Sequence, residues 1–152
     1  MRRFLIILAA GGSAAMLLGA FGFQYLGDMA PCKMCLWQRW PHAAAVVIGL
    51  VALALPGAAL PLLGALAALT TAGIGIYHTG VERDWWEGPT SCTAGDVSNL
   101  TPEQLLEQIM AAPLVRCDDV PWEMLGLSMA SWNAVVSIGL AILWIAASRY
   151  RR

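Results

Sequence analysis

Four long apolar runs alternate with polar stretches along this chain. Residues 4–25, 41–56, 60–78 and 131–148 carry no Asp, Glu, Lys or Arg, and a helix needs ~20 such residues to cross ~30 Å of hydrocarbon. The pattern predicts four spanning helices in a single membrane domain, residues 1–152, with connections at 26–40 and 79–130. The second run is the weakest, reaching spanning length only by drawing Trp37–Pro41 toward the bilayer edge. Pro56, Gly57 and Pro61 interrupt the apolar sequence without a charge, so runs two and three form a helical hairpin.

Two pieces of the long polar connection have a pattern of their own. Thr101-Pro102-Glu103-Gln104 reads as a capped helix start, and Leu105, Leu106, Ile109 and Met110 then fall on one face, predicting a short amphipathic helix. Trp122, Met124, Leu125, Leu127 and Met129 form an apolar patch before the fourth run, expected to rest in the membrane interface. A plain apolar surface loop is the alternative for either piece.

Composition agrees with the runs. With 59% hydrophobic residues, 12% charged residues and a mean hydropathy of +0.64, the chain is too apolar for a soluble domain and reads as an integral membrane protein. The net charge of -1 hides a segregation of sign: Arg2, Arg3, Arg149, Arg151 and Arg152 sit at the termini, while all ten acids lie in the polar stretches. An even number of spans with basic ends predicts cytoplasmic termini by the positive-inside rule. No basic cluster occurs elsewhere, so nucleic acid is not an expected partner. Arg2-Arg3 before an apolar run also resembles a secretory signal, but the run exceeds the usual 7–15 residues of a signal core and no clear small-x-small cleavage site follows.

The four cysteines then all face outward, Cys32 and Cys35 in the short loop and Cys92 and Cys117 in the long one. In a bacterium that compartment is oxidising. Three pairings are possible, and the two-residue spacing makes Cys32–Cys35 with Cys92–Cys117 the easiest resting arrangement. A Cys92–Cys117 bond would restrain the unfolded chain by roughly 3–4 kcal/mol, a purely structural use. Cys32-Lys33-Met34-Cys35 closes almost no loop, so stapling does not explain it; a redox role does. A four-cysteine zinc site is the competing reading, disfavoured because Cys92 and Cys117 form no short knuckle, and no metal is expected. Covalent haem is weaker still, since Leu36 stands where His is required.

Arg39, four residues after Cys35, would favour a thiolate if the chain is helical there, or else reach lipid phosphate; Pro41 leaves the helix boundary open. His78 is expected at the outer end of the third span and His42 near the same mouth, each a hydrogen-bond donor to a carbonyl ligand or simply a polar helix cap. Trp37, Trp40, Tyr77, Trp85 and Trp86 would form an aromatic belt that could also provide a flat slot for a ring.

In combination, Pro31-Cys32-x-x-Cys35-Leu36-Trp37-Gln38-Arg39, Tyr77-His78-Thr79, Cys92, and Cys117 followed by Trp122-x-x-Leu125-Gly126-Leu127-x-Met129 and Trp132 resemble the DsbB family of disulfide-bond formation proteins over nearly the whole chain. The resemblance implies an all-α membrane protein of the bacterial inner membrane, a four-transmembrane-helix bundle with a short and a long periplasmic loop. It implies a thiol-disulfide oxidoreductase that reoxidises a DsbA-like periplasmic thioredoxin-fold protein and passes electrons to a membrane quinone, ubiquinone or menaquinone. Under it Cys92 matches the cysteine attacked by the partner and Cys117 its bonded mate. Cys117 then exchanges with Cys32, and Cys35 is the sulfur that meets the quinone. Arg39 and His78 match quinone-site residues, as does Gln38, where relatives often carry Glu. The alternatives are a structural membrane protein with a disulfide-stapled outer loop, and a dedicated oxidase of the same kind serving one client system. The redox reading expects the long loop to offer its disulfide exposed to a soluble partner.

Overall fold

In a computed structural model the described residues are 1–89, 92, 101–111 and 115–150, leaving aside the side chains of Gln108 and Ala111. Arg151 and Arg152 lie outside them. The chain is mostly helical: α1 is Arg2–Tyr25, α2 Lys33–Ala54, α3 Ala59–Glu82, α4 Pro102–Ala111 and α5 Met129–Arg149. α1, α3 and α5 are each long and apolar enough to cross a membrane. α2, at 22 residues, carries Lys33, Gln38 and Arg39 in its first two turns and falls short of that standard, as the weakness of the second apolar run predicts.

The helix ends explain themselves chemically. Cys32 is the N-cap of α2, its sulfur accepting the Cys35 N–H at 3.1 Å. Pro41 sits inside α2, so the boundary that the sequence leaves open falls at Lys33 and the stretch from Cys35 to Arg39 is helical. α4 has the expected reciprocal cap: the Gln104 N–H donates to Thr101 Oγ1 at 3.3 Å and the Thr101 N–H to Gln104 Oε1 at 3.0 Å. The apolar patch before α5 folds as a tight hairpin of two two-residue strands, β1 (Glu123–Met124) antiparallel to β2 (Leu127–Ser128). Its turn residues Leu125 and Gly126 both have positive φ, 56° and 73°, the backbone that matches strand twist in a tight hairpin. Trp132 Nε1–H anchors it by donating to the Met124 carbonyl at 3.0 Å, and Ser128 caps α5.

α1 packs on α2 and α5, and α3 on the same two, closing a four-helix ring. Trp144 lies fully buried in the ring, among Ile6, Ala9, Ala52, Ala65, Ala68 and Leu140. Gly64 leaves room for the indole, since a Cβ there would collide with its ring carbons; small residues give membrane helices their close approach. At the end where the chain begins, buried Arg2 donates to the carbonyls of Ala52, Leu55 and Gly57 at 3.0–3.1 Å, tying α1 to the exposed carbonyl end of α2 and the α2–α3 turn. The alternation of helix direction then places all four cysteines at the opposite end.

Candidate functional site

The four sulfurs converge on one small cluster. Cys92 and Cys117 are bonded to each other, with Cα atoms 5.3 Å apart, and pack with Cys32, Met34 and Val81. The pairing agrees with the tight-spacing expectation for the long loop. The expected second disulfide is not formed: Cys32 and Cys35 are free thiols whose sulfurs lie 2.7 Å apart. Cys92 is 1% exposed and Cys117 0%, so the loop disulfide is buried against the first pair and not offered to water, contrary to the expectation. The physical reason is that a disulfide is apolar and the N-terminal turn of α2 offers an apolar seat for it.

The Cys32 thiol donates to the Cys35 sulfur, and that single hydrogen bond splits the pair. Both residues precede the uncharged run of α2. Cys35 is held below the ordinary thiol range by the bond from Cys32, against the cost of burial, with Arg39 helping and Glu82 opposing through space. Cys32 is pushed far up by the same bond and by burial. Arg39 acts only at a distance. Its Nη1 donates to Gln24 Oε1 at 2.6 Å and its Nη2 to the Ala20 carbonyl at 3.3 Å, with the guanidinium over the Phe21 ring at 5.0 Å. It therefore docks α2 on α1.

His78 lies one turn inside α3 and not at its end, because the helix runs on to Glu82. Gln38 Nε2 donates to His78 Nδ1 at 2.9 Å, which leaves the imidazole proton on Nε2. That Nε2–H points at the Cys117 carbonyl at 3.1 Å and lies 3.6 Å from Cys32 Sγ. Gln38 thus fixes a tautomer. His42 lines the inner wall of the same cavity, buried between the helices 2.9 Å from Asn133 Oδ1, and Asn133 in turn donates to Thr71.

A cavity of about 510 Å³ opens beside the thiols. Cys32, Cys35, Gln38, Arg39, His78 and Glu82 give it a polar end, while Met16, Phe23, Met129, Trp122 and Trp132 line it with apolar surface. Its size and mixture suit a small ring-bearing ligand. The five aromatics of the expected belt are all exposed, with Trp86 stacked on Tyr77 at 5.9 Å, but none lines the cavity. Arg116, at the cavity rim, pairs with Asp118 and holds its carboxyl below the usual range.

Two contributors escape a reading of the sequence. Glu82, seemingly part of a charged loop, has a side chain only 4% exposed, accepts a hydrogen bond from Ser128 Oγ, and sits 3.9 Å from His78 Nε2. Its spacing of four from His78 is the signal for a shared helix face. Asn133 is signalled by its isolation in an apolar run, where a polar side chain must find a partner.

The family model for the disulfide bond formation protein DsbB matches residues 2–147. The chain belongs to the DsbB family. Curated relatives named disulfide bond formation protein B include those of Albidiferax ferrireducens, 32% identical over 149 residues (86% of this chain, 82% of the relative), and Pasteurella multocida, 31% over 146 residues (88% and 81%). That of Shewanella sp. (strain MR-4) is 26% identical over 145 residues (90% and 81%). No solved structure matches the chain significantly. As a DsbB-family member the chain is an integral membrane protein and a protein-disulfide oxidoreductase, an oxidase that forms disulfide bonds.

Proposed function

We propose that this oxidase takes electrons from a DsbA-like periplasmic protein of thioredoxin fold and delivers them to a membrane quinone, ubiquinone or menaquinone, in the bacterial inner membrane. In this reading residues 4–25, 41–56, 60–78 and 131–148 span the bilayer, the termini are cytoplasmic, and the loops 26–40 and 79–130 are periplasmic. The observation that carries it is the contact of the closed Cys92–Cys117 disulfide with the reduced Cys32–Cys35 pair at the mouth of the cavity. Loop closed and first pair reduced is the state expected once an electron pair has moved inward from the loop.

The steps follow thiol–disulfide exchange. The partner's thiolate attacks Cys92, breaking its bond to Cys117, and the partner's second thiol then displaces Cys92 and leaves as the oxidised protein. The Cys117 thiolate attacks Cys32 of the oxidised first pair, so that Cys35 departs as thiolate. Cys92 then displaces Cys32, which restores the loop disulfide and leaves the first pair as the dithiol. The quinone, when bound, supplies the two-electron sink. At the cavity, Cys35 holds the thiolate, Arg39 favours its negative charge, and His78, oriented by Gln38, presents an N–H among the reacting groups. Two of the five Arg39 N–H groups are committed to α1, and a guanidinium retains further donors for a ring oxygen. The net change is one partner dithiol to disulfide and one quinone to quinol, two electrons and two protons on each side. Partner access requires the buried loop disulfide to lift off its seat.

Reconstitution of the chain with a reduced DsbA-type protein and ubiquinone or menaquinone, following quinone absorbance, tests this. Wild type should reduce quinone and Cys35→Ser should not. Equal rates, or none for wild type, remove the quinone assignment.

A further inference from the structure

We propose that the reduced Cys32–Cys35 pair and His78 form a binding site for a thiophilic divalent cation such as Zn(II), which takes the dithiol out of the redox cycle while bound. The three ligand atoms lie within 4.8 Å of one another. Cys32 Sγ and His78 Nε2 are 3.6 Å apart. Bond lengths of about 2.3 Å to sulfur and 2.1 Å to nitrogen at a tetrahedral angle require about 3.6 Å between such ligands. The two sulfurs, at 2.7 Å, must open to about 3.8 Å around the same ion; Cys35, half-buried on the cavity wall, has room to turn.

Two thiolates and an imidazole form a soft donor set that prefers zinc to magnesium or calcium. The outer groups also suit it. When Nε2 binds the ion its proton must reside on Nδ1, and Gln38, now 2.9 Å from Nδ1, accepts that proton's hydrogen bond by turning its amide over. Glu82 Oε1, 3.9 Å from Nε2, stands within reach of the fourth position, as ligand or as acceptor for a bound water. No electrons move: two thiols release two protons and the cation takes their place. Because a disulfide offers no thiolate, oxidation of the pair closes the site, so the site exists only in the reduced half of the cycle. The four-cysteine zinc arrangement considered from sequence is a different donor set.

The inference needs neither quinone nor partner, so its test is separate from that of the proposed function. The full chain with Cys92→Ser and Cys117→Ser, which removes the loop thiols, is reduced in detergent and titrated with Co(II). One equivalent should bind with thiolate-to-metal charge-transfer absorption and the intense visible bands of a tetrahedral site, and Zn(II) should bleach both. The same chain with Cys32 and Cys35 oxidised should show neither. His78→Gln should weaken binding at least about tenfold, and Gln38→Leu by about tenfold. Absence of the tetrahedral spectrum overturns the site; unchanged affinity in His78→Gln reduces it to an ordinary dithiol complex and overturns it equally. Should His78→Gln fail to fold, an NMR-active cadmium isotope coupled to the imidazole nitrogen of unsubstituted His78 supports the site, and a bound cadmium without that coupling overturns it.

Discussion

His78 donates its Nε2–H to the backbone carbonyl of Cys117 across 3.1 Å, while the same nitrogen lies 3.6 Å from the sulfur of Cys32. One imidazole on α3 therefore holds the long loop against the short one. Because Cys92 is 1% exposed, the loop must lift before any bulky thiolate can attack it, and this hydrogen bond is part of what resists lifting.

Replacing His78 by Phe removes that restraint. A buried hydrogen bond is worth about 0.5–1.5 kcal/mol net, so reduction of the Cys92–Cys117 bond by a small soluble thiol should accelerate roughly two- to tenfold. Timed alkylation and mass spectrometry read the rate; an unchanged rate would mean that the imidazole does not restrain the loop.

Gln38 should be visible as a tautomer switch. In the native chain the imidazole proton of His78 belongs on Nε2, because Gln38 Nε2 donates to Nδ1. Gln38→Glu replaces the donor with an acceptor and should move the proton to Nδ1, detected by imidazole nitrogen NMR. The expected shift fails if both chains give the same nitrogen pattern.

The thiols carry a pH signature. Cys35 lies below the ordinary thiol range through the bond from Cys32, and Cys32 lies above it. In reduced chain lacking the loop cysteines, iodoacetamide near neutral pH should label Cys35 first, and Cys32→Ala should move Cys35 labelling to higher pH. The linkage signs differ: the stabilisation from Cys35 is present above the ordinary thiol pKa and lost as pH falls through its folded value, whereas that from Cys32 is present below the ordinary pKa and lost as pH rises through its own. Preferential labelling of Cys32 would reverse the assignment.

Arg2 links α1 to three carbonyls at the far end of α2. Arg2→Ala strands the buried Ala52 carbonyl and should cost at least about 1.5–3 kcal/mol, the worth of one charge-assisted hydrogen bond. Thermal unfolding in detergent measures it, and Arg2→Lys should recover part of the loss.

The glycines discriminate packing from propensity. Gly64→Ala drives a methyl into the Trp144 ring and should destabilise by about 1–3 kcal/mol. Gly73→Ala meets nothing within 4 Å and should unfold no earlier than wild type. Equal midpoints for the two variants would contradict the close approach of α3 and α5.

What the sequence determined by itself are the features that depend on local order along the chain. Uninterrupted apolar runs specify helices because a backbone in lipid must satisfy its own hydrogen bonds, and α1, α3 and α5 appear within a few residues of the runs that predict them. The Thr101–Gln104 cap works for the same reason, its partners being three residues apart. Only the tertiary structure decided which groups meet across long separations. Glu82 becomes buried because α3 continues one turn beyond His78. His42 is held by an oxygen that Asn133 offers from another helix, and Arg39 turns to Gln24 on α1. Burial of the Cys92–Cys117 bond was illegible for the same reason: exposure is a property of what packs on a residue, and the seat for this disulfide is built from α2 and α3.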